Sequence, residues 1–173
     1  MNATPSIKRR LTAMVYETFL LLAVEMLAVA LWLLVTRNSH APLAHHGLKV
    51  FLFLVTGAYF IHAWSGSGHT LAMKTWRMRL VAEDGGRVAP RRALLRYLLA
   101  WGWFLPALAV CALSGVTDKG AVSAVLALGL LAWALTALLD KERRFLHDRL
   151  SGTRLVSLPG RAAAEAAAPA PSA

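Results

Sequence analysis

An apolar run of about 25 residues, from Leu11 to Val35, limits most strongly what this chain can fold into. A bilayer has a hydrocarbon core about 30 Å thick, and a helix needs about 20 residues to cross it. The basic residues 8–10 resemble the start of a signal peptide, but the run is too long for one. It also contains Glu17 and Glu25, and no small-residue cleavage site follows it. We therefore predict an uncleaved transmembrane helix.

Three further apolar stretches, 47–64, 93–113 and 120–139, are candidates to cross the membrane. The stretch 47–64 is the shortest. Pro106 lies within the third and predicts a kink, because proline removes a backbone N–H; membrane helices tolerate this where neighbours satisfy the freed carbonyl. Only 16% of the residues are charged, against roughly a quarter in soluble domains. We predict an all-α membrane protein with four transmembrane helices.

The 19 Lys and Arg residues are distributed unevenly between the polar segments. Fifteen lie before the first span, in the connection between the second and third spans, or after the fourth. Three lie in the other two connections, and Arg96 lies within the third span. The positive-inside rule then places both termini and the central connection in the cytoplasm. This topology accounts for the net charge of +10. Since no nucleic-acid motif is present, we expect no nucleic-acid partner.

The central connection, residues 65–92, is the longest polar segment between spans. Between His69 and Ala82 it is amphipathic, with basic residues between Leu, Met and Trp, which suits a segment at the headgroup boundary. From Thr75 onwards the alternation is closer to the period of a strand. Asp84-Gly85-Gly86 is a turn signal, and a short hairpin around it fits the pattern.

The chain after the fourth span divides into a dense polar stretch, 140–154, and a tail rich in Ala and Pro. The tail has little apolar surface to bury. We therefore predict a membrane domain over residues 1–156 and a disordered tail over 157–173.

Three patches resemble the RDD family of bacterial membrane proteins, named for one Arg and two Asp residues. Arg9–Leu20 is similar to the family's Arg-Arg-Leu segment and the Tyr-Asp that follows it. His69–Val81 with Arg91–Tyr97 is similar to its Gln-Thr-Leu-Gly-Met-Lys segment and the arginine entering the next helix. Leu146–Val156 is similar to its Leu-His-Asp and Gly-Thr signature, and is the most specific match. The resemblance implies a multi-pass protein of the bacterial cytoplasmic (inner) membrane with a transport role.

By this resemblance, Arg10 stands for the family arginine and Asp148 for its last aspartate. Glu17 replaces the first aspartate, which keeps the carboxylate but lengthens the side chain. His69 replaces the family glutamine and Ala72 its glycine. Ala72 in place of glycine argues against close backbone packing at this position.

Arg10 and Glu17 are seven residues apart, so a helix places them on one face, about 10 Å apart along its axis. We expect Asp148 to reach the same layer and form a cluster with them at the cytoplasmic membrane boundary. One interpretation is a structural clamp between the C-terminal segment and the first helix, since ionisable groups near lipid need partners. The other is an ion or proton site. Arg96, His147 and His69 are secondary candidates, with His147 either orienting Asp148 or simply lying at the interface.

Glu25 lies about 21 Å along the first helix from Leu11, within the hydrocarbon. A carboxylate there must be protonated, paired or in contact with water. The residues next to it in sequence offer no partner, and the candidate hydrogen-bond donors are Thr56, Tyr59 and Thr136. Glu25 is either a hydrogen-bonded group packed between helices or a group that couples proton movement to transport.

No nucleophile motif, phosphate-binding loop or metal signature is present, so we expect no enzyme activity, no cofactor and no metal. Two hypotheses remain for the function. The first is a small transporter or ion/proton exchanger that acts as a homo-oligomer in the lipid bilayer. The second is a non-catalytic scaffold or accessory protein that binds a partner or anionic lipid through its basic cytoplasmic segments.

Overall fold

The computed structural model describes residues 4–37, 42–139 and 144–159. These residues are mostly helical, with two short strands. In chain order the elements are α1 (Ile7–Val35), α2 (Pro42–Ser65), α3 (Leu71–Thr75), β1 (Met78–Ala82), α4 (Pro90–Ala100), a 3-10 turn (Trp101–Trp103), α5 (Leu105–Leu113), α6 (Lys119–Leu139), α7 (Leu146–Leu150) and β2 (Thr153–Ser157).

Four helical segments are long and apolar enough to cross a membrane, which confirms the predicted architecture. They are Ile7–Val35, His46–Ser65, Pro90–Leu113 and Lys119–Thr136. The first begins at Ile7 rather than Leu11, because the Ser6 side chain accepts a hydrogen bond from the Arg9 amide and caps the helix one turn earlier. Arg10 therefore lies inside α1.

The third span is broken near Pro106, as its position in the sequence predicts. The 3-10 turn Trp101–Trp103 separates α4 from α5. Pro106 has no N–H to donate to the carbonyl of Gly102, so the helical ladder cannot continue through this turn. Gly102 also packs closely on α6, because a Cβ there would lie 2.9 Å from the ring of Trp133.

The predicted local hairpin is wrong, although its strand and its turn both form. In the turn, the Gly85 amide donates to the carbonyl of Ala82, and the Asp84 side chain accepts from the Gly86 amide. The partner of β1 is β2, antiparallel, with Ala82 opposite Thr153. The residues that follow the turn lead directly into α4 at Pro90, and the apolar residues that complete the sheet come from the C-terminal segment.

The folded chain continues past the predicted domain boundary at residue 156. Ser157 ends β2, and the Leu158 amide donates to the carbonyl of Arg77 at 2.8 Å. The rest of the predicted tail, from residue 160, lies outside the described residues.

Residues 66–89 and 144–159 form a small layer that we call the cap. Its α3 packs against α1, and its α7 packs against α4 and α6. Where the cap meets the bundle, Trp64, Leu80, Val88, Ala93, Tyr97 and Leu155 form a buried apolar core.

The N-terminus joins the same end of the bundle as the cap. The Arg9 guanidinium donates to the carbonyls of Trp76 and Arg77 and, at 3.4 Å, to the hydroxyl of Ser157. The three segments that carry most of the positive charge therefore meet at one end. This is the arrangement that the charge distribution requires.

Candidate functional site

Two carboxylates on α1, those of Glu17 and Glu25, accept hydrogen bonds from hydroxyl groups. Glu17 is buried, and Tyr59 of α2 donates a hydrogen bond of 2.5 Å to its Oε1. Thr70, at the start of α3, donates to its Oε2. Both oxygens of Glu17 are thus held, and the carboxylate joins α1, α2 and the cap.

Thr70 performs two tasks at this contact. Its hydroxyl donates to Glu17, and its oxygen accepts from the Met73 amide at 3.3 Å as the N-cap of α3. The side chain of Thr70 is only 2% exposed. The contact therefore fixes where the cap begins relative to α1.

Glu25 lies two turns deeper in α1, about 12 Å from Glu17 along the axis. Thr56 of α2 donates to its Oε1 at 3.1 Å. Thr56 is the only hydrogen-bond partner of Glu25 among the described residues, and no Lys or Arg of those residues pairs with it. Of the other two predicted donors, Tyr59 bonds Glu17 and Thr136 donates to the carbonyl of Trp133.

A second cluster lies where the cap meets α4. Arg96 reaches Asp148 through two nitrogens, with Nε at 2.9 Å and Nη2 at 2.7 Å from Oδ1. Both side chains are buried. The guanidinium also stacks on Trp64, with its Cζ 4.2 Å from the ring centroid. This charge pair connects α7 to α4.

His147 and Arg10 complete this second cluster. His147 Nε2 lies 3.4 Å from both Arg96 Nη2 and Asp148 Oδ1, and its ring stacks on Phe145. The Cζ of Arg10 lies 4.9 Å from the Phe145 ring centroid. Through Phe145, the C-terminal segment is thus held against α1 as well as α4.

Burial and the neighbouring charges set the protonation states of His147 and Asp148. Burial lowers the pKa of His147 to about 4; the charge of Asp148 opposes this, while Arg96 and Arg10 add to it. Burial alone would raise the pKa of Asp148, but the charges of Arg96, His147 and Arg10 outweigh burial and hold that pKa below its ordinary range. At neutral pH the cluster contains an ionised Asp148 and a neutral His147.

The contacts divide the predicted cluster of Arg10, Glu17 and Asp148. Asp148 and Arg10 lie in the same group, and Glu17 lies in the hydroxyl group with Tyr59 and Thr70. His69 belongs to neither, because its Nδ1 lies 3.1 Å from the carbonyl of Ser67 within its own loop. Arg96, a secondary candidate, is the principal partner of Asp148.

Comparison with known proteins identifies the chain. The profile of the RDD family matches residues 4–152. The chain belongs to the RDD family. No curated protein and no solved structure matches this RDD protein at a significant level. The match covers all four spans and the cap as far as Gly152. Both groups of polar residues therefore lie within the family domain.

The sequence did not indicate three residues that contact the two groups of this RDD protein. Thr70 contacts Glu17, Phe145 contacts Arg10, and Trp64 contacts Arg96. Tyr59 was one of three candidate donors to Glu25, and it donates to Glu17 instead. Among the described residues, no three His, Cys, Asp or Glu side chains are grouped as metal ligands. The polar groups present in the two clusters are therefore carboxylates, hydroxyls and a buried guanidinium.

Proposed function

We propose that this RDD protein is a small transporter of the bacterial cytoplasmic membrane that exchanges protons for another ion. Glu25 carries the proton, and both termini face the cytoplasm. The observation that supports this proposal is the setting of Glu25, which lies inside a span and has one hydroxyl as its partner among the described residues. A carboxylate in hydrocarbon without a cation is protonated or open to water, and exchange between these two states is the elementary step of a proton carrier.

The other two acidic groups are less suited to this role. Both oxygens of Glu17 accept hydrogen bonds, and Asp148 is tied to Arg96 by two nitrogens. Releasing either group would break contacts that hold the cap to the bundle. Among the described residues, Glu25 accepts one hydrogen bond, from Thr56. Its protonation can therefore change while the fold is maintained.

We further propose that the ion pathway is completed between copies of the chain. Within the most apolar stretch of α6 none of the residues is buried, and in α1 few are. Large side chains such as Leu27 and Leu34 of α1 are more than two-thirds exposed. These faces contact lipid or a second copy, and a four-helix bundle is thin for a pathway of its own.

Ion flux in proteoliposomes tests the proposal. The purified protein is reconstituted with a pH-sensitive dye inside, a proton gradient is imposed, and Li⁺, Na⁺ or K⁺ chloride is added outside. We expect the wild type to dissipate the gradient when the exchanged ion is added and Glu25→Gln to lose this response. The matched control is Glu83→Gln, an exposed carboxylate of the cap.

Two results would overturn the proposal. One is ion-driven proton movement by Glu25→Gln at the wild-type rate and with the same pH dependence. The other is a folded, reconstituted wild type that moves no proton with any salt, which would favour the scaffold hypothesis.

A further inference from the structure

Two leucines are exposed where the chain leaves the membrane helices. Among the described residues outside α1, α2, α6 and the third span (Pro90–Leu113), Leu71 and Leu150 are the large hydrophobic side chains that are exposed, at 58% and 55%. Leu71 begins α3 and Leu150 ends α7. Each has an exposed cation close by, Lys74 one turn after Leu71 and Arg149 next to Leu150.

Buried contacts hold both leucines at the level of the bundle end. Leu71 follows Thr70, whose buried hydroxyl donates to Glu17 of α1. On the other side of the cap, the bond between Asp148 and Arg96 holds α7 against α4. The two leucines are therefore placed beside different membrane helices, near the ends of the spans.

The cap is strongly basic. Its residues 66–89 and 144–159 include seven Lys or Arg and three Asp or Glu. Two of these acids are already engaged, Asp148 by Arg96 and Glu83 by Arg144 at 2.8 Å. The third, Asp84, accepts a hydrogen bond from its own turn. The surface that the cap presents to a partner is thus positive.

We propose that the cap docks on the anionic headgroup layer of the same membrane that holds the bundle. Leu71 and Leu150 insert at the acyl boundary, and Lys74 and Arg149 lie among the lipid phosphates. The membrane interface has an apolar acyl layer below a layer of charged phosphates. A leucine beside a cation, near the end of a membrane helix, matches both, because the leucine suits the acyl layer and the cation suits the phosphates. This docking does not depend on the proposed ion exchange, so either can fail without the other.

Spin labels at the two leucines test the docking in the full-length protein. In a Cys111→Ala background, a nitroxide is attached at Leu71→Cys, at Leu150→Cys or, as the control, at Asp84→Cys in the exposed turn. The samples are nanodiscs of phosphatidylcholine alone or with phosphatidylglycerol. Relaxation by oxygen reports the acyl boundary, and relaxation by a water-soluble nickel chelate reports solvent.

We expect the labels at 71 and 150 to be accessible to oxygen in anionic nanodiscs and the label at 84 to be accessible to the nickel chelate. Lys74→Gln should lower the ratio of inserted to exposed label at 71 about fivefold, the effect of one cation at an anionic surface. Salt at about 1 M, where the Debye length is about 3 Å, should produce a similar loss.

Labels at 71 and 150 as accessible to nickel as the label at 84 would overturn the docking. A cap that binds an acidic protein instead would give this result in purified nanodiscs. Insertion that is equal in neutral and anionic lipid, and insensitive to salt, would overturn the role of the cations.

Discussion

The acidic groups of the cap and of α1 differ in the side chains that they face. Asp148 in the cap faces a guanidinium, and its charge is compensated by Arg96. Glu17 and Glu25 in α1 face hydroxyls of α2 and the cap, which can hydrogen-bond either form of a carboxyl group. A buried ion pair is costly to break and resists a change of protonation, whereas a carboxyl held by one hydroxyl can gain or lose its proton. Under the proposed function, the cap cluster is structural and Glu25 is the group that exchanges protons.

Asp148→Asn should have the largest effect on stability. It leaves the Arg96 charge buried without its partner, and breaking such a pair costs about 3–5 kcal/mol. The measurement is unfolding in mixed micelles titrated with a denaturing detergent. Glu83→Gln removes the exposed ion pair with Arg144 and should cost about 1 kcal/mol or less. Equal effects of the two variants would contradict the structural role of Asp148.

Acid should weaken the fold through His147. The pKa of this ring is about 4 in the folded protein and about 6.5 in an unfolded chain, so the unfolded chain binds more protons between these values. The contribution is complete above about pH 6.5 and falls by about 3 kcal/mol as the pH approaches 4.

Unfolding of His147→Gln across the same pH range measures this contribution, because the variant should lose most of the dependence. His69→Gln is the matched control, since the side chain of His69 hydrogen-bonds within its own loop. A dependence that is unchanged in His147→Gln, or lost in His69→Gln, would contradict the account.

Thr70→Val should have an intermediate effect. The variant removes the hydroxyl that binds Glu17 and caps α3, with an expected cost of about 1–3 kcal/mol. Thr75→Val, on the exposed end of the same helix, should cost less than about 0.5 kcal/mol. Unfolding measured for both variants decides whether Glu17 holds the cap to α1; equal costs would show that it does not.

Glu25→Gln should have the smallest effect on stability, below about 1 kcal/mol, because an amide oxygen can still accept from Thr56. The same detergent titration measures it. A loss as large as that of Asp148→Asn would show that Glu25 is a structural group, and the contrast between the two regions would disappear.

The spans were predictable because hydropathy and charge distribution are local properties of the sequence. The alternation of apolar and basic residues after Thr75 likewise indicated the strand β1. The pairing of β1 with β2 was not predictable, because the partner lies more than 70 residues away and the nearby turn suggested a local strand. The 3.6-residue period placed Arg10 and Glu17 on one face, but a shared face does not specify contacts.

The partners of the acids were the hardest part to predict. Arg96 and Asp148 are 52 residues apart, and their contact depends on how the cap folds back onto α4. Thr56 was among the expected partners of Glu25, since few hydroxyls lie within the spans. Thr70 gave no signal in the sequence, because its bond to Glu17 exists only after α3 packs against α1.

Infrared spectroscopy of the reconstituted protein tests the central claim about Glu25 most directly. A protonated carboxyl group gives a C=O stretching band that a carboxylate lacks, and pH-difference spectra show when that band forms. We expect one C=O band of the wild type that is retained in Glu17→Gln and Asp148→Asn and missing from Glu25→Gln. Glu25→Gln spectra that retain every C=O band of the wild type, with a band lost in Glu17→Gln instead, would contradict the role of Glu25.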